Sequence, residues 1–326
     1  MNATATSTKS KVRGLGAKDL VEGKNTLPIR VIAEDGSEKI YNVNVTRKAG
    51  ATSLKNEIMK NKIITAEPTL TTSSNNTSDA SGLYKSTATN TGEPTYYFRG
   101  NVENNYVSFA SFTWRIVRVN EDGTIRIVMQ DGINNNTKYA FNSIKDNSMN
   151  MYYTNSEVKP ILENWYQTNI GSKAYLAKNV VSGNYYCEQA KVKKVEGWSS
   201  ESTIMTTYTS YTPNFKCESD GNGYGIVNSN VGLLTYDEVV YAGGYVSLAG
   251  EINNTSYYLL KNYLSFTMSP GGIVNSIYPM IWSYNNIIGS GNFVSSPELL
   301  VPVLNLTANT QISDGDGTKD NPFVVE

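Results

Sequence analysis

The chain has 326 residues, 28 basic and 29 acidic side chains, no histidine and two cysteines. A charge balance near zero without a basic stripe excludes phosphate-driven nucleic-acid binding. The missing imidazole excludes Ser-His-Asp and Cys-His catalysis and the usual His-containing zinc sites.

Charged residues make up 17% of the sequence, below the roughly 25% of an average soluble domain. Asn, Ser, Thr and Tyr carry the polarity instead, and Tyr and Thr suit the pleated faces of an extracellular β protein. The basic run Lys191–Lys194 reads as a solvated edge. No stretch of about 18 apolar residues occurs, so no membrane span is expected. Met1 to Thr6 lacks the apolar core of a signal peptide.

Residues 20–47 read as a β-hairpin. Leu27, Ile29 and Val31 alternate with polar or small residues, Asp35-Gly36 turns the chain, and Tyr41, Val43 and Val45 alternate again. A lone hairpin is marginal in water, so the expectation is an exposed edge, or one patched by residues 1–15. The run Leu20 to Ile29, continuing through Ala33-Glu34-Asp35-Gly36-Ser37 to Tyr41–Arg47, resembles the second half of the cadherin-like β-sandwich module of Gram-positive surface proteins. The resemblance implies that residues 1–49 are the C-terminal part of a stalk module. Its first strands, and a signal peptide, would then lie upstream of Met1.

Residues 50–66 are expected to form a short helix with Leu54, Ile58 and Met59 on one face and Ser53 as its cap. Residues 68–93, dense in Ser, Thr, Asn and Gly, read as a linker, making 50–93 a connecting segment. From there a compact domain, residues 94–326, is expected.

Its strands are Tyr96-Tyr97-Phe98-Arg99, Tyr106–Phe109, Phe112–Val119 and, after Asp122-Gly123, Thr124–Val128. Arg115, Arg118 and Arg126 read as solvent-facing partners for cross-strand acids, with ligand-binding cations as the alternative. Two helices follow. Residues 155–168 align Val158, Ile161, Leu162 and Trp165, and Thr235–Ala242 carries a capping box (Thr235 with Glu238) and stops at Gly243-Gly244. Val301–Leu306 reads as a strand. The fold class expected is α+β and β-rich.

Tyr96–Gly100, Phe112–Arg118, Gly232–Val239, Phe266–Pro270 and Pro302–Leu306 together resemble a C-terminal domain of unknown function in Bacillota surface proteins. That family is itself distantly similar to the C-type-lectin and formylglycine-generating-enzyme fold. The likeness implies two main helices among irregular sheets, and no counterpart of the enzyme branch's reactive cysteine pair.

Cys187 and Cys217 read as a disulfide, with a reactive thiol or metal ligand as the alternative; a thiol nucleophile would have no His as its base. Asp314, Asp316 and Asp320 alternate with Gly and Thr as a weak calcium motif, against an ordinary Gly-rich turn. Glu163, Asp237 and Glu238 are the carboxylates a glycosidase could use, although Asp237 and Glu238 equally complement a helix dipole. Gly243-Gly244 and Gly271-Gly272 lack the Gly-Lys-Ser/Thr of a phosphate loop.

Recognition is expected on loops spanning Ser247–Tyr258 and Gly271–Gly291. Tyr257, Tyr258, Trp282 and Tyr284 would be contact aromatics and Asn253, Asn254 and Asn285 their hydrogen-bonding neighbours, with core packing of the rings as the alternative. The function this implies is a non-catalytic, extracellular surface module without a cofactor. Its partner would be a cell-wall or host-surface glycan or protein. The alternatives are a secreted carboxylate-dependent hydrolase and a structural cell-wall spacer.

Overall fold

The computed structural model describes residues 3–15, 18, 20, 23–47, 52–70, 79–143, 152–189, 212–219, 224–244, 257–259, 264–274, 276–282, 288–289 and 294–326. The chain divides into two units, Met1–Thr52 and Ser53–Glu326. The fold is α+β and β-rich.

In the smaller unit, β2 (Gly23–Ile32) and β3 (Glu38–Arg47) pair antiparallel without a register shift, and β1 (Lys11–Arg13) pairs with β2. Gly36 turns the hairpin at φ 83°, a conformation that glycine adopts without steric cost. Asp35 Oδ1 accepts from the Ser37 N–H at 2.9 Å and from its hydroxyl at 2.7 Å. These bonds hold the Asp35 carboxyl below its ordinary pKa. The register places Leu27, Ile29 and Val31 on one face with Tyr41, Val43 and Val45. Residues 11–13 thus patch one edge, and β3 has no second partner strand among the described residues.

The boundary between the units falls within β4 (Thr52–Ser53), and the larger unit continues with α1 (Leu54–Ile58), β5 (Ile63–Ile64), β6 (Gly82–Ser86), β7 (Thr95–Arg99), β8 (Tyr106–Phe109), β9 (Phe112–Val119) and β10 (Ile125–Met129). Next come β11 (Lys138–Tyr139), α2 (Val158–Tyr166), α3 (Ala174–Ala177), β12 (Gly183–Cys187), β13 (Ile226–Ser229) and α4 (Tyr236–Ala242). The chain ends with β14 (Ser265–Val274), β15 (Ser276–Trp282), β16 (Ile288–Gly289), β17 (Glu298–Leu299), β18 (Val303–Leu306), β19 (Gln311–Asp314) and β20 (Phe323–Val325).

The main sheet runs β4-β19-β20-β8-β9-β7-β6-β5, with β10 on β9 and β18 on β10. Strand β9 is its hub. Its first half pairs with β8 and its last residues with β7, while β10 lies along its other side. A second sheet has the order β11-β17-β14-β15-β16, and β12 pairs with β13.

Three expectations need correction. Ser53 stands at the start of α1 without a side-chain cap bond, and the helix is held instead by burial of Leu54 and Ile58 in the core. Residues 79–93 are not linker. Strand β6 pairs along its whole length with β7, because Leu83 and Tyr84 supply buried side chains that the Ser/Thr-rich composition conceals; residues 71–78 lie outside the described residues. Residues 271–274 and 276–282 are strand rather than recognition loop, pairing as β14 and β15, in keeping with their β-branched and aromatic content.

The Trp114 ring fills the centre of the core with no exposed surface, and its Nε1 donates to the Phe109 carbonyl at 2.9 Å. It also packs edge-on against Phe112 and obliquely against Trp165 of α2. Trp114→Ala is expected to cost about 3–5 kcal/mol, read as a drop in the urea midpoint of the larger unit. A cost below about 1 kcal/mol would mean that the site collapses without penalty.

Candidate functional site

Every arginine after Arg47 is turned inward. Arg115 is buried on β9, its guanidinium lying 3.8 Å from the Tyr106 ring centroid and 5.1 Å from that of Tyr258. Its Nε donates to Asn105 Oδ1 and an Nη to the Val102 carbonyl, both at 2.7 Å. Burial lowers its pKa. Tyr258 and Tyr257, expected as contact aromatics, are 5% and 4% exposed and belong to the core. The amphipathic Tyr258 ring is drawn inward by that cation, a cation–π arrangement that gains strength when dry. Burial raises the pKa of Tyr258.

Arg118 and Arg126 converge on one carboxylate. Arg118 Nε stands 3.3 Å from Glu238 Oε1, and Arg126 Nε is in contact with the same oxygen. Glu238 Oε2 accepts from the Thr235 N–H at 3.0 Å while Thr235 Oγ1 accepts from the Glu238 N–H at 3.2 Å, so the expected capping box is formed. Gly243, at φ 118°, ends α4 as expected. The arginines are therefore not solvent-facing. They neutralise a helix-capping acid inside the protein, and desolvation lowers the pKa of Arg118. Neighbouring Asp237 accepts from the Asn214 N–H at 2.9 Å.

A crevice of about 30 Å³ remains over this cluster, bordered by Arg118, Arg126, Asp237 and Glu238 and by the segment 212–219. Cys217 ties that segment to Cys187 at the end of β12, confirming the expected disulfide. Glu188, next in the chain, is buried and accepts from the Thr154 N–H and hydroxyl, both at 2.7 Å.

The remaining expected site residues divide. Tyr284, Asn253, Asn254 and Asn285 lie outside the described residues, and so does the side chain of Trp282. Glu163 takes Lys159 at 2.6 Å and the Ser229 hydroxyl at 3.2 Å, away from the crevice's contact set. Asp314, Asp316 and Asp320 form a turn. Asp316 Oδ1 accepts from the Thr318 N–H and hydroxyl, and Asp314 Oδ1 from the Gly315 N–H. The carboxylates of Asp314 and Asp316 are thereby occupied locally, and no group of three metal-ligating side chains forms among the described residues.

Sequence reasoning missed an open groove of about 470 Å³ between α1, the start of β6 and the β7–β8 loop. Leu83 and Ile64 form its apolar floor, with Asn61, Asn101 and Asn104 around it. Asn61 and Asn104 hold each other, Asn104 Nδ2 donating to Asn61 Oδ1 at 2.7 Å. Asn101 is anchored by its backbone N–H on Ser81 Oγ at 2.8 Å. The side chains of Lys62, Asn101 and Glu103 are exposed and take no described hydrogen-bond or ion-pair partner. The groove joins three segments, residues 61–64, 81–83 and 101–104, a juxtaposition that carries no local signature.

No helix among the described residues is long and apolar enough to cross a membrane. The comparisons with known proteins carry no match: no family model, no curated protein and no solved structure aligns with the chain.

Glu238→Gln keeps the shape and removes the charge that the two guanidiniums share. It is expected to cost about 3–5 kcal/mol, measured by urea unfolding; a near-neutral result would show that the arginines find other acceptors. Replacing both cysteines by serine opens a loop of 30 residues and is expected to cost about 3–4 kcal/mol, measured the same way under non-reducing conditions.

Proposed function

We propose that the chain is part of a bacterial cell-surface protein, and that its larger unit is a non-catalytic recognition module which binds a neutral, hydroxyl-rich ligand of the glycan class in the amide-lined groove. The observation that carries this reading is how the polar groups are distributed. The strong charges of the unit's interior (Arg99, Arg115, Arg118, Arg126, Asp237 and Glu238) are engaged with the protein itself. The groove, by contrast, presents amide and hydroxyl groups over an apolar floor, with Lys62 and Glu103 as the two charges of its lining. Amides both donate and accept, which matches the alternating donors and acceptors of sugar hydroxyls.

The disulfide supports an oxidising compartment outside the cytoplasm. The resemblance of Tyr96–Gly100, Phe112–Arg118 and Pro302–Leu306 to the Bacillota surface domain points the same way, with the hairpin unit as stalk. The hydrolase reading is the weaker one. Glu163 is bound to Lys159 and Ser229, and Glu238 is shared by two arginines. A nucleophile or general acid needs a carboxylate that can change its protonation or attack.

A glycan and cell-wall fragment array probed with the chain is expected to retain at least one neutral oligosaccharide. Replacing Asn101 and Glu103 by Ala should weaken that binding about tenfold or more and leave the melting temperature unchanged, because both side chains are exposed and unpartnered. Equal binding by the variant would move the site elsewhere. An array with no retained ligand would favour the spacer.

A further inference from the structure

The aromatic cluster beneath segment 212–219 is separate from the main core. It consists of Tyr84 and Tyr97 from the sheet, Tyr241 from α4, and Phe215 from the segment itself. The Phe215 ring lies 4.1 Å from Tyr241 in a stacked arrangement and 5.6 Å from Tyr97, and the Arg118 guanidinium covers it at 4.7 Å. Tyr97 and Tyr241 meet edge to face at 4.8 Å. The three walls thus come from β7, β9 and α4, elements fixed by sheet pairing and by the Glu238 ion pairs, and Phe215 alone comes from a segment with no strand or helix of its own.

The segment is also held as a peptide ligand would be. The Phe215 N–H donates to the Ala88 carbonyl at 2.7 Å, the Asn214 N–H to Asp237 Oδ1 at 2.9 Å, and the Cys217 N–H to Asn90 Oδ1 at 2.8 Å. The Tyr241 hydroxyl donates to the Pro213 carbonyl at 3.2 Å. These bonds read main chain, which any peptide offers, while the chain bends at Phe215, with the Lys216 N–H donating to Asn214 Oδ1 at 2.9 Å, and one aromatic side chain enters the box. Main-chain bonds for affinity with a pocket for specificity is the usual division in peptide recognition, and aromatic anchors in such pockets dominate its energetics.

We propose that the box formed by Tyr97, Tyr241 and Arg118 is a binding pocket for an aromatic residue of a peptide that bends at that residue, and that Phe215 is its built-in occupant. The Cys187–Cys217 bond keeps that occupant at high effective concentration, so a peptide in trans competes poorly while the bond is intact. The pocket is distinct from the amide groove and does not depend on it.

The test uses the full chain with Phe215→Ala and, separately, with Cys187→Ser and Cys217→Ser together. The probe is a synthetic peptide with the sequence of residues 212–216, alongside the same peptide carrying alanine for phenylalanine. Calorimetry is expected to show the Phe215→Ala protein binding the phenylalanine peptide at least about tenfold tighter than its alanine version. It should also bind that peptide at least about tenfold tighter than the unaltered protein does, and the double-serine protein should fall between. A folded Phe215→Ala protein, judged by near-ultraviolet dichroism, that does not distinguish the two peptides overturns the proposal. If Phe215→Ala does not fold, the double-serine protein decides. Binding tighter than that of the unaltered protein upholds the pocket, and no gain makes the ring an ordinary part of the fold.

Discussion

The larger unit is organised around the cost of burying guanidinium groups. A buried charge without a partner is strongly destabilising, and an arginine needs up to five acceptors placed around a rigid plane. Arg99, Arg115, Arg118 and Arg126 therefore dictate what must surround them. Helix α4 shows the consequence, because the sheet grips it at both ends. Near its start Glu238 joins Arg118 and Arg126. Near its finish Arg99 donates to the carbonyls of Val240 and Tyr241 at 2.7 and 3.0 Å while pairing with Asp79 at 2.8 Å. Carbonyls left open at a helix C-terminus are favourable targets for a cation, so a helix of seven residues gains a position that its own length would not hold.

The same constraint ties distant parts of the chain together. Strand β9 supplies Arg115 and Arg118, β10 supplies Arg126, and β10 in turn pairs with β18 near the C-terminus. Strand β20 then closes beside β8 in parallel. The sheet begun by residues 52–129 is completed by residues 303–325, so its two portions depend on each other for their hydrogen bonds. Such non-local pairing is slow to form, since loop closure precedes the gain from contacts. The disulfide acts on the segment between these portions.

Charge used inside is charge withheld from the surface. With 17% charged residues in the whole chain, the larger unit spends its arginines on internal architecture, and the open groove is left to amides, a hydroxyl, one lysine and one glutamate. A surface of that kind recognises by hydrogen-bond pattern and shape rather than by long-range attraction, and this fits a module read as a binder of neutral ligands.

Local chemistry made part of this legible in the residues alone. Asp35-Gly36 between alternating apolar runs determines a hairpin, because the turn needs positive φ and the strands need one apolar face. Thr235 with Glu238, and then Gly243, determine both ends of α4, because each satisfies backbone groups within its own turn. Two cysteines in a chain without histidine pointed to their pairing. Tertiary structure decided the rest. A strand's alternation says which residues share a face, but not that both faces of β9 are covered, so the arginines were legible as polar and not as interior. Tyr257 and Tyr258 stand among polar residues in sequence, yet the cation of Arg115 makes the interior the better place for Tyr258. Residues 79–93 look like linker until β7 offers β6 a ladder of hydrogen bonds. The amide groove and the Phe215 box depend on side chains from separate elements meeting at a distance, and no local preference encodes such a meeting.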